Sequence, residues 1–160
     1  MEGVLVIPIG DQISVIFGFG IAAGLVETIS PPNPTTLNEE EERALTVPFR
    51  ALSKLSKLLL RIQWVLRFLE GGLWIWAIFF SSVAFWKAIL IGLIGLLIGM
   101  KIFGFILGII FSLMFKMMGF NEENSEISFG TAAVSLVVPF FLTVLIGTYM
   151  VGMTFWIFSH

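Results

Sequence analysis

Residues 71–120 read GGLWIWAIFFSSVAFWKAILIGLIGLLIGMKIFGFILGIIFSLMFKMMGF, and the ions in this stretch are Lys87, Lys101 and Lys116. As one straight helix it would be roughly 75 Å long, more than twice the hydrocarbon thickness of a bilayer. It must therefore fold back. A turn near Lys87, which follows Ser81, Ser82 and Trp86, leaves one span from about Gly72 to Trp86 and another from Ala88 to about Phe115. A turn at Gly99–Lys101 is the alternative and would put Lys87 inside the membrane. The turn near Lys87 is the expected one, giving a helical hairpin over residues 71–118.

The second arm of that hairpin carries Gly92, Gly95, Gly99, Gly104 and Gly108. Gly95/Gly99 and Gly104/Gly108 are both G-x-x-x-G pairs. In lipid, helices associate by close backbone approach, which glycine permits by having no side chain. A neighbouring helix is expected on this ridge, from the same chain or from another subunit.

On the C-terminal side, residues 119–129 form a polar loop with Glu122, Glu123 and Glu126, followed by an apolar segment over 130–160. That segment, from about Thr131 to Phe158, is expected to span the membrane and to bend at its internal Pro139. On the N-terminal side, Arg50, Lys54, Lys57 and Arg61 are spaced 4, 3 and 4 residues apart. That spacing puts them on one stripe of a helix. Leu52, Leu55, Leu59, Ile62, Leu66 and Leu69 face the other way. Residues 48–70 thus read as an amphipathic interfacial helix whose basic residues, Arg50, Lys54, Lys57 and Arg61, contact anionic lipid headgroups.

Further upstream, residues 30–47 are a Pro-rich and acidic linker. Ser30-Pro31-Pro32-Asn33-Pro34 cannot continue a helix, because proline lacks the N–H and restricts the residue before it. Residues 1–29 hold a shorter expected span, Ile13–Ile29, with Gly20 and Gly24 as a third G-x-x-x-G pair. Glu2 and Asp11 without a nearby Lys or Arg are unlike the basic start of a signal peptide, so the chain is expected to insert by its own spans.

Composition agrees. The 160 residues are 58% hydrophobic and 12% charged, with a formal net charge of −2 and a mean hydropathy of +1.01. Soluble domains average about 25% charged residues. So few ions cannot coat a water-soluble surface, and so apolar a chain is not disordered. The near-neutral balance excludes a nucleic-acid partner. The expected fold is an all-α integral membrane protein of about four transmembrane helices plus one interfacial amphipathic helix. Arg43, Arg50, Lys54, Lys57, Arg61, Arg67 and Lys116 then lie on one side and Lys87 on the other. The positive-inside rule places the 30–70 segment on the cytoplasmic, matrix or stromal side.

The chain offers little chemistry. Cysteine is absent and the one histidine is His160, so no metal site and no cofactor ligated by its own side chains is expected. No nucleotide-binding, hydrolase or metalloprotease motif is present, and no catalytic residue is assigned. Trp74, Trp76 and Trp86 could flank a pigment or quinone, but lipid contact explains them more simply. Glu27 and Glu70 are expected to be half-exposed at span ends. With the turn near Lys87, Lys101 lies near the middle of its span as a candidate intramembrane charge, costly unless it snorkels or pairs.

The expected function is a non-catalytic accessory subunit of a larger membrane complex. It would pack through Gly20, Gly24, Gly95, Gly99, Gly104 and Gly108 against other membrane-protein subunits. Bioenergetic complexes contain many such subunits, an analogy rather than a derivation. The alternatives are a small homo-oligomeric channel or transporter, using Lys101, Pro139, Thr143, Thr148 and Tyr149, and a membrane-shaping or virion membrane protein.

Overall fold

A computed structural model describes residues 8–29, 47–117 and 129–159. The linker over 30–46, the loop over 118–128, His160 and the first seven residues lie outside the described residues. The rest is helical: α1 (Ile9–Ile29), α2 (Val47–Phe79), α3 (Phe85–Ile98), a π-helical segment (Gly99–Phe103), α4 (Gly104–Met117) and α5 (Phe129–Ser159). Three helical stretches are long and apolar enough to cross a membrane: Ile9–Ile29, Phe85–Met117 and Phe129–Trp156.

Local chemistry sets the ends. The Pro8 carbonyl accepts from the N–H groups of Asp11 and Gln12 at 3.0 and 3.2 Å, and Asp11 lies in the first turn of α1, where an acid complements the helix dipole. Pro48 occupies the first turn of α2, where its missing N–H costs nothing. The chain reverses over Phe80–Ala84, immediately before Lys87. There the Ser81 hydroxyl donates to the Ile78 carbonyl at 3.1 Å. The Gln12 side-chain oxygen accepts from both the backbone N–H and the hydroxyl of Ser82, each at 2.7 Å. The start of α1 thus holds the turn between α2 and α3.

One expectation changes here. Residues 48–70 and the following apolar segment are not separate elements; α2 runs unbroken for 33 residues. Gly71 and Gly72 are weak helix formers, each about 1 kcal/mol worse than alanine, but neither blocks the helical hydrogen bonds as proline would. The alternative turn at Gly99–Lys101 is absent. This stretch begins a π-helical segment through which the helix continues.

Contact pairs fix the helix directions. Along α1 and its neighbour, Gln12 meets Ser82, Gly20 approaches Gly92 and Thr28 reaches Met100, so α1 runs parallel to α3. Along α2 and α5, the Phe49 and Phe129 rings meet edge to face at 5.7 Å and Gln63 meets Thr143, so these two are also parallel. The α2–α3 turn makes the two pairs antiparallel. The core forms where they meet, around Ile16, Phe19, Ala22, Ile78, Ala88 and Met150.

Much of the outer surface is apolar. Phe68 is 81% exposed and Trp86 78%. Within α4 no described residue is buried.

Candidate functional site

The closest backbone contact is between α1 and α3. A Cβ added at Gly20 would collide with the Gly92 carbonyl, and one at Gly24 would lie 2.8 Å from the Met100 nitrogen. A Cβ at Gly95 would come within 2.5 Å of the Phe17 carbonyl oxygen, and one at Gly99 within 3.1 Å of the Gly24 Cα. Gly104 faces Thr28, whose methyl would lie 2.6 Å from such an atom. These five glycines therefore pack within the chain. Gly108 differs, because nothing lies within 4 Å of its Cβ position. It lines a shallow groove of ≈ 340 Å³ with Phe105, Ile109, Ser112 and Leu113.

The π-helical segment sits at this contact. Its Met100 carbonyl is approached by the Thr28 hydroxyl at 3.5 Å, and that hydroxyl also donates to the Gly24 carbonyl at 2.9 Å. Lys101 lies inside the segment and is exposed. Although it is central in the 33-residue helix Phe85–Met117, its neighbour Met100 is level with Thr28, near the end of α1.

A second arrangement follows from α2. Gln63, Arg67, Glu70 and Trp74 are spaced 4, 3 and 4 residues apart. At about 100° per residue they form one stripe, on the opposite side of the helix from Arg50, Lys54, Lys57 and Arg61. Lys54, Lys57 and Arg61 are exposed and Arg50 half-buried. Within this stripe Gln63 and Glu70 face α5, whereas Trp74 lies against Gly92 of α3. Gln63 is 2% exposed, Glu70 3% and Thr143 0%. The Gln63 side-chain N–H donates to the Thr143 hydroxyl at 3.3 Å, which donates in turn to the Pro139 carbonyl at 2.9 Å.

Further along this seam the Glu70 carboxyl lies against Gly147, where a Cβ would sit 2.8 Å from its Oε1. Neither carboxyl oxygen has a hydrogen-bond partner, and the Trp74 Nε1 and Arg67 Nε are likewise unpartnered. The Arg67 guanidinium instead lies over the Trp64 ring, 5.4 Å from its centroid. Glu70 is therefore not the half-exposed carboxylate expected from sequence. The sign that could have revealed it is the second 4-3-4 spacing along α2, on the side of the helix away from the basic stripe. Glu27 is exposed, as a carboxylate at a span end should be.

Of the residues considered for a pore, Thr143 lies in this seam. Thr148 and Tyr149 instead border an open groove of ≈ 690 Å³ between α1 and α5, walled by Ile21, Leu25 and Leu145. Lys101 lines neither. Among the described residues no group of three or more His, Cys, Asp and Glu could hold a metal ion. Comparison with protein-family models, curated proteins and solved structures finds no match.

Proposed function

We propose that the chain is a non-catalytic subunit of a larger membrane complex and that it crosses the bilayer four times. The reading is carried by a mismatch of length. The apolar helix Phe85–Met117 has 33 residues, roughly 50 Å at 1.5 Å per residue against a hydrocarbon core of about 30 Å. A tilt of about 40°, the upper end of the usual range, still leaves a projection of roughly 38 Å. By contrast, α1 has 21 residues and matches the core. Where α1 ends, α4 continues past its contact at Gly104 and Thr28 with none of its described residues buried. Apolar surface that leaves the hydrocarbon calls for protein to cover it. The Gly108 notch lies on this exposed helix, and Lys101 lies just before it in the π-helical segment.

In this arrangement α2 is the fourth crossing. Its C-terminal part runs through the bilayer beside α5, and its start, with Arg50, Lys54, Lys57 and Arg61, lies among anionic headgroups on the cytoplasmic, matrix or stromal side. The α2–α3 turn and Lys87 lie on the opposite side. A photocrosslinker at Phe105 or Ile109 tests the reading. Adducts to one distinct membrane polypeptide from α4, and none from a control at Phe68 on α2, are expected. Adducts to lipid alone would count against it.

A small channel or transporter is the second reading. The buried polar seam of Gln63, Glu70 and Thr143 favours it, because polar groups within a membrane bundle often mark an ion path.

A further inference from the structure

We infer that Glu70 is a proton-binding site inside the helix bundle. The carboxyl is 3% exposed, and both of its oxygens are buried without a hydrogen-bond partner. It projects into a space that exists because α5 has glycine at position 147. A lone ionised carboxylate buried this deeply is costly, and it is tolerated when a charge or a proton compensates it. Arg67, three residues away on the same helix face, attracts the carboxylate electrostatically, but its guanidinium lies over Trp64 and no hydrogen bond reaches either carboxyl oxygen. From α5, Thr143 and Gly147 face the seam, and neither ionises. Among the described residues the other buried polar side chains are Gln63, Thr131 and Thr143, and none of them ionises. Glu27 and Lys101 are exposed elsewhere on the bundle.

The choice of a proton over a metal cation follows from the available donors. Ca²⁺ and Mg²⁺ take six or more oxygen ligands, and a monovalent cation likewise needs several oxygens around it. The Thr143 hydroxyl is already engaged with Gln63 and Pro139, and Arg67 adds positive charge on the same stripe. A proton needs one carboxyl oxygen and leaves the group neutral. Gain and loss of that proton would switch the charge of the α2–α5 seam, whatever assembly the chain joins.

The test uses the purified full chain in liposomes. Dicyclohexylcarbodiimide adds to a protonated carboxyl in apolar surroundings and rearranges to a stable N-acylurea, which peptide mass spectrometry locates. Glu70 is expected to be labelled ahead of Glu39–Glu42. Labelling should fall about tenfold per pH unit once the carboxyl ionises, and NaCl should not protect it. Glu70→Gln should lose the adduct. If that variant does not fold, the pH and NaCl series on the unaltered chain decides by itself. Absence of a Glu70 adduct at every pH, or protection by NaCl, would overturn the proton site.

Discussion

Glu70 on α2 fills the space that a side chain at Gly147 on α5 would occupy, with its Oε1 2.8 Å from that Cβ position. An acid and a glycine on different helices are thereby fitted to each other. Gly147→Ala should destabilise the bundle by about 1–3 kcal/mol, as overpacking does. Gly147→Ala combined with Glu70→Ala should cost less than the sum of the two changes. Unfolding in detergent, followed as a double-mutant cycle, checks this. Strict additivity would show that the two residues do not touch.

Thr143 is paired with Gln63. Thr143→Val removes the hydroxyl and leaves the buried Gln63 amide without that acceptor, an expected loss of about 1–3 kcal/mol. Gln63→Leu in the same molecule should recover part of it, because no buried amide then remains unpaired. Equilibrium unfolding of the single and double variants measures both effects.

The glycines separate into internal and outward-facing positions. Gly20→Val and Gly95→Val should disrupt the α1–α3 contact, lowering thermal stability and breaking a disulfide crosslink engineered across it. Gly108→Val meets nothing within 4 Å and should leave monomer stability within about 0.5 kcal/mol, as surface changes usually do. Its expected effect is on assembly, read as loss of the high-mass band on a native gel.

The basic stripe carries a lipid prediction. Replacing Arg50, Lys54, Lys57 and Arg61 by Glu should remove about 1 kcal/mol of anionic-lipid attraction per basic residue. Fluorescence quenching of Trp64 by labelled anionic lipid checks this, with neutral lipid as control. Equal quenching before and after the change would place the stripe away from the headgroups.

How much was legible in the sequence differs from element to element. The reversal before Lys87 was readable, because the apolar run 71–120 is too long for one crossing and Ser81-Ser82 interrupts it. The separation of residues 48–70 from the segment after them was not, because Gly71-Gly72 reads as a break while still permitting helix. Glycine spacing indicated a close neighbour for Gly95 and Gly99 but could not say that it is α1 of the same chain. That depends on three-dimensional pairing, as does the open space at Gly108. Glu70 was obscured by its place beside a basic amphipathic segment. Charge near a helix end suggests solvent, and burial came into view when α5 was seen to place Gly147 opposite. The π-helical turn at Lys101 has no sequence signature of its own.

The subunit reading is tested most directly by extracting the chain from its native membrane in mild detergent and weighing the intact particle by native mass spectrometry. The account predicts a mass that includes other polypeptides, which separate from the chain when Gly108 is replaced by Val. Recovery as a homo-oligomer that conducts ions when placed in liposomes would contradict it.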